Sequence, residues 1–468
     1  MSTLRATSSC NAGLAAHAMS ALAAIALSAG LAAAQDLTWK APPQDHPIAI
    51  VNATIHPVSS APIENGFIFF DQGRILQVGT MDDGPVFIGT TQIIDASGLH
   101  VYPGLIGPVT DLGLLEMQET RPSTDLSENN DPNGEIYAAT AVNPDSWLFP
   151  VTRSGGVLLA GTLPTGGTIP GHASLLRLDG WTTEEMTVDR DMGLVVNWPN
   201  MRPFQSRWIT TSDEEQMRRS REAVQRIDEV FEQAEAYRAA RAADPTHTID
   251  LRYEGILACL PPVGWQGGQH DRSGQEPVLL SAQDVDQINA AVTWAVGRGL
   301  NPIVHGGRDA PLCAELLREH DVPVIIGGTF NFPKRSDSPY DDAYTLPARC
   351  EAAGIRWCLA TGGESMNERN LGQAAGMAAA FGLDPDAAVR GVTLSTAEIL
   401  GVASDYGSLD DGKSATLIVT TGSPLEIVSG VVMAFIDGRM IDLSNHQTEL
   451  DRKYRERYRQ MGVIGADR

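Results

Sequence analysis

Short apolar runs punctuated by Asn, Pro, Gly and Asp fill "HPIAIVNATIHPVSSAPIENGFIFFDQGRILQVG", near the start of the chain. Such runs between turn-forming residues predict several small strands, with "QGR" and "ENG" as hairpin corners. The texture returns at the far end, in "YGSLDDGKSATLIVTTGSPLEIVSGVVMAFIDGRMIDL". Two β-rich stretches at opposite ends of one chain predict a small domain assembled from both. Between them, "GVLLAG", "LNPIVHG", "VPVIIGG" and "IRWCLATGG" are apolar runs separated by helical stretches. That alternation predicts a parallel sheet or barrel covered on both faces. Sites in such folds gather where the strands end.

The clearest helix is "TSDEEQMRRSREAVQRIDEVFEQAEAYRAARAAD". Ser212 with Glu215 three residues on predicts a capping-box start, and Val224, Ile227, Phe231, Ala234 and Tyr237 share one helical face. Farther on, Pro385 opens a second helix, and Ser395 or Thr396 starts a third that Gly401 ends. The polar segment Gln118 to Ser146 reads as a long loop beside a barrel mouth or as a mobile lid. Lys334, Arg335, Asp337, Tyr340, Asp341, Asp342 and Tyr344 crowd a second segment between two barrel strands, the place of a mouth loop.

Length and composition add compartment and partners. A chain of 468 residues with 43% hydrophobic residues buries a large core. Arg5, the alanine-rich run after it and Ala32-Ala33-Ala34 form a signal-peptide pattern, so residues 1–34 are expected to be removed on export to a periplasmic or extracellular space. No membrane span is expected after that removal. A formal charge of -24 excludes nucleic acid as a partner, because phosphates demand a basic surface. Small molecules are the expected partners, and oligomers stay open. With Cys10 in the leader, Cys259, Cys313, Cys350 and Cys358 remain. They lack zinc-type spacing, and buried thiols or disulfides both stay open. There is no G-x-S-x-G elbow and no phosphate loop.

The segments "ASGLHVYPGLI", "LDGWTTEEM", "AAGIRWCLATGG", "AVRGVTLSTAEILGV" and "YGSLDDGKSATLIVTTGSPL" resemble, in their order, landmarks of the amidohydrolase superfamily, in the branch related to imidazolonepropionase. The resemblance spans residues 47 to 443. It implies an α/β fold, a (β/α)8 TIM-like barrel inserted into a small composite β-sandwich built from both chain ends. The corresponding division is 35–104 and 405–445 for the β domain, 105–404 for the barrel and 446–468 for a charged C-terminal helix.

Hydrolases of this family usually activate water on divalent metal, which brings the pKa of bound water near neutrality. The resemblance puts the family's HxH pair on Val109 and Asp111, and Gly107 stands where an Asp usually precedes it. A later histidine position holds Ser281, His305 is retained, and Gly362 and Gly363 followed by Glu364 occupy the place of the last-strand Asp. Two cofactor states follow: one divalent metal (Zn, Mn or Fe) on His305 with Asp111 and Glu364, or none. Asp111 and Glu364 are the candidate catalytic carboxylates, as general base. His172, Arg335 and Tyr340 are candidate substrate-binding residues. Three functions stay open: an exported hydrolase of C–N bonds in small cyclic or peptide-like amides, a catalytically inactive small-molecule binder, and a structural or partner-binding subunit.

Overall fold

The computed structural model describes residues 36–465, apart from 37, 118–119, 205–207 and 269–270. The expected signal segment lies outside the described residues.

The chain first lays down β1 (Ile48–Ile55), β2 (Ile63–Asp71), β3 (Arg74–Thr80), β4 (Gln92–Asp95) and β5 (His100–Pro103). The β2–β3 hairpin turns at "QGR" as predicted: Gln72 and Gly73 have φ of 49° and 79°, the left-handed pair that a two-residue loop needs. "ENG" is not a corner. It lies inside β2 opposite two register shifts, with Asn65 at φ 47°, because a bulge and a tight turn draw on the same residue types. β1 is itself broken at Asn52, φ 62°; its first half pairs with β4 and its last residues with β5.

The barrel sheet follows as β6 (Leu105–Thr110), β7 (Val157–Thr162), β8 (Gly171–Arg177), β9 (Thr187–Asn197), β10 (Pro277–Ala282), β11 (Asn301–Gly306), β12 (Val324–Ile326) and β13 (Trp357–Leu359). They are hydrogen-bonded in that order. A bridge from Thr110 to Gly363, with the Asp111 N–H donating to the Gly363 carbonyl at 3.0 Å, ties the chain after β13 back to β6. Seven strands run one way, as a (β/α)8 barrel requires, but β8 is antiparallel to both neighbours. The links 163–170 and 178–186 explain the reversal, since a parallel crossover needs a dozen residues or more.

The chain returns to the first sheet as β14 (Leu417–Thr420), β15 (Val431–Ile436) and β16 (Arg439–Met440), and β14 pairs antiparallel with β5 from Leu417↔Pro103 to Thr420↔His100. The composite β domain is therefore one eight-stranded sheet, a seven-strand path β16-β15-β14-β5-β1-β2-β3 with β4 added beside β1, and Ile50, Ile68, Phe70, Leu417, Val419 and Phe435 lie in its own core.

The long helix spans Asp213–Ala243, and the Ser212 hydroxyl accepts the Glu215 N–H at 3.3 Å. Glu215 turns its own carboxylate to Arg218 and Arg219. Ile227, Phe231, Ala234 and Tyr237 are buried as the pattern predicted, joined by Val230. Pro385 does open a helix, Pro385–Gly391. The next, Leu394–Ile399, starts before Ser395 and Thr396, with the Thr396 hydroxyl bonded back to the Gly391 carbonyl. The segment expected as loop or lid is anchored on the barrel through buried Asn133, Ala138, Ala139 and Ser146.

A buried ion network fastens the start of the described chain to the barrel. Arg153 is fully buried, 3.1 Å from Asp179 and 3.6 Å from Asp36. Lys40 meets Asp36 at 2.7 Å, and Arg439 meets Asp179 at 3.3 Å. The four remaining cysteines are buried free thiols. Among the described residues no helix is long and apolar enough to cross a membrane. The C-terminal helix His446–Gln460 buries none of its residues.

Candidate functional site

Asn197, Ser281 and His305 stand level on adjacent strands β9, β10 and β11. The residues just before them, Val196, Leu280 and Val304, are fully buried, whereas these three are partly exposed, as side chains reaching the barrel's open end should be. Asp111 after β6 and Thr361 after β13, both partly exposed, continue the ring at the seam.

The members of this ring have different amounts of free hydrogen-bonding capacity. Asn197 is committed: its amide donates to the carbonyls of Thr165 and Gly167 at 3.0 and 2.9 Å, holding the Gly-rich loop. Ser281 and His305 make no side-chain hydrogen bond with any described residue. Burial pulls the His305 pKa down to about 4, so at neutral pH it is an uncharged imidazole with one donor and one acceptor to offer. Asp111 accepts the Ser365 N–H at 2.6 Å, and burial raises its pKa, with the nearby Glu364 charge acting the same way.

Glu364 is exposed, where its carboxylate accepts from the Asn367 amide at 2.9 Å. The carboxyl that enters the barrel is Glu368, on the 3-10 helix Ser365–Asn370. It is fully buried, one oxygen accepts the Thr361 hydroxyl at 2.6 Å, and the other has no partner. Its unpartnered oxygen lies over Gly107: a Cβ built on that glycine would sit 1.8 Å away. Burial pushes the Glu368 pKa up to about 7. Sequence reading missed this residue. The only signal was a glycine in the barrel strand where the family carries a carboxylate.

His172, a candidate substrate-binding residue, lies on β8. It is fully buried, with Nδ1 2.7 Å from Asp191, Nε2 3.0 Å from the Gly134 carbonyl and its ring stacked on Tyr137. Neither ring nitrogen is left for a substrate. Arg335 is held bidentately by Asp309 at 2.8 and 2.9 Å, and Tyr340 is 75% exposed on the same loop. Val109 is packed in the core.

Among the described residues no three His, Cys, Asp or Glu side chains are grouped so as to hold a metal ion, and His305, Asp111 and Glu364 are not brought together into one. A hydrolytic centre needs about three protein donors around an open position. The residues present do not fit the superfamily's metal.

The sequence profile described as the amidohydrolase family matches residues 281–441. No curated protein matches the chain. Among solved structures, an amidohydrolase from Thermotoga maritima MSB8 is similar at TM-score 0.72 and 20% identity, over 84% of this chain and 99% of that one. A molinate hydrolase (TM-score 0.52, 15% identity, 86% and 96% covered) and a Xaa-Pro dipeptidase with bound methionine (0.52, 13%, 85% and 100%) share the fold more distantly. Residues 281–441 thus match the amidohydrolase family in sequence, and most of the chain shares the fold of a solved amidohydrolase.

Proposed function

We propose that the barrel mouth binds a small, uncharged, amide-like molecule and does so without the superfamily's catalytic metal. The observation that carries this reading is the pair Ser281 and His305: level on adjacent strands, partly exposed, and unbonded, with the imidazole neutral. A neutral imidazole and a hydroxyl offer donors and acceptors to an amide's C=O and N–H. Val109, Ser281 and Gly362 at the donor positions support the metal-free part. Export through removal of residues 1–34 belongs to the same proposal and rests on the leader's composition.

A second reading, hydrolysis of the C–N bond of a small cyclic or peptide-like amide, is favoured by one specific observation. Asp111, whose raised pKa makes it a stronger base than an ordinary carboxylate, is suited to take a proton from water, and the neutral, unpartnered His305 can accept a hydrogen bond that orients it. Calorimetric titration of the chelator-treated protein with uncharged cyclic amides and capped dipeptides, with amine release followed in parallel, tests both. Binding without metal that His305→Ala weakens about tenfold, the loss of one good hydrogen bond, is expected. Turnover without metal would establish the second reading. Near-stoichiometric zinc, manganese or iron that disappears in His305→Ala would overturn the first.

A further inference from the structure

A cavity of about 380 Å³ opens at the seam between the composite sheet and the barrel, away from the barrel mouth. Its wall combines His56, Tyr102, Asp386 and Ser423 with apolar Val58 and Val389. His56 is stacked on Tyr102, with ring centroids 4.0 Å apart and planes 7° from parallel, and its Nε2 lies 3.0 Å from Nδ1 of His100. The segment joining β1 to β2 keeps Val58 at φ 71°. A β-branched side chain pays for that conformation, and such strain persists where the surroundings impose it, often at a ligand site.

The electrostatics select a ligand. No Lys or Arg lines the cavity. Asp386 is exposed on the first turn of its helix, and its carboxylate has no ion-pair or hydrogen-bond partner among the described residues. Glu64 adds negative potential at His56, while burial and His100 keep that imidazole uncharged at neutral pH. The charged group on the wall is therefore an unpaired carboxylate, beside an aromatic stack and aliphatic side chains.

We propose that this seam is a second binding site, taking a small organic cation: an ammonium group at Asp386 on a ring or short apolar chain that lies against the His56–Tyr102 pair. Attraction of ammonium to carboxylate and to an aromatic face supplies the selectivity. NMR titration of the full chain with benzylamine, and with benzyl alcohol as its uncharged counterpart, tests the assignment through the ring resonances of His56 and Tyr102. Saturable benzylamine binding is expected, with weaker binding of the alcohol. Asp386→Asn should weaken benzylamine about three- to fivefold, the scale of an exposed ion pair. Asp82→Asn, an exposed acid on the turn after β3, should leave binding unchanged. Unsaturable shifts, equal binding of amine and alcohol, or unchanged binding in Asp386→Asn would overturn the site. An equal loss in both Asn variants would reduce it to diffuse attraction by an acidic surface and overturn it too.

Discussion

Replacing Glu368 by Gln should flatten one part of the protein's stability profile. The folded chain holds this carboxyl's pKa near 7, whereas the ordinary value is 4.5. Below pH 4.5 the group is protonated in both states and contributes no pH dependence. Between 4.5 and 7 the unfolded chain ionises while the folded chain does not, so stability falls with rising pH; above 7 the loss is complete. A shift of this size corresponds to about 3 kcal/mol, at about 1.4 kcal/mol per pH unit. Gln keeps the acceptor for the Thr361 hydroxyl and cannot ionise, so any packing offset it introduces is constant with pH. Urea midpoints of both proteins from pH 4.5 to 8.5 should therefore diverge, the Gln variant gaining on the native chain as pH rises and the gap levelling off above 7. Glu276, pushed up to about 7 by burial and by Asp191 and Asp189, titrates identically in both proteins and cancels from the difference. Parallel curves across the range would refute the claim that a proton is held inside the barrel.

Gly107→Ala should cost about 1–3 kcal/mol by overpacking against Glu368, and a Gly107→Ala, Glu368→Ala double variant should recover part of it, read as non-additive denaturation midpoints. Additive losses would separate the two sites. Arg153→Met should destabilise by about 3 kcal/mol, because Asp36 and Asp179 lose a buried partner although Lys40 and Arg439 remain; a thermal midpoint within error of the native chain would contradict this. Cys259, Cys313, Cys350 and Cys358 should resist Ellman's reagent in the folded protein and react on unfolding, since burial raises all four thiols, Cys313 to about 11 and Cys350 and Cys358 to about 12. Rapid native labelling of any one would show that its surroundings open.

What could be read from the sequence tracks how local the determining physics is. The "QGR" turn was legible because a two-residue hairpin demands left-handed residues, and the long helix because its apolar stripe holds one face from Val224 to Tyr237, about four turns. "ENG" misled because a bulge inside β2 uses the same residues as a corner. β8 gives no local sign of its direction, which is set by the shortness of the links on either side. The site shows the same division. His305 was legible at the end of an apolar run. Glu364 was chosen for the inner carboxylate by position along the chain, whereas the 3-10 turn beginning at Ser365 carries Glu368, four residues later, beneath the strand ends. Only the packed barrel relates that side chain to the bare Cα of Gly107.

The ladder between β5 and β14 joins residues more than three hundred positions apart, Pro103 to Leu417. During synthesis the first five strands therefore emerge long before the strand that completes their sheet. Until then β5 presents an unpaired edge, and the apolar face carrying Ile50, Ile68 and Phe70 lacks the cover of Leu417, Val419 and Phe435. The N-terminal half of the β domain is made before the barrel, yet the domain is among the last parts able to close. A chain stopped after the barrel should be aggregation-prone at its beginning, and a separately supplied C-terminal segment that adds β14 should be able to cap it.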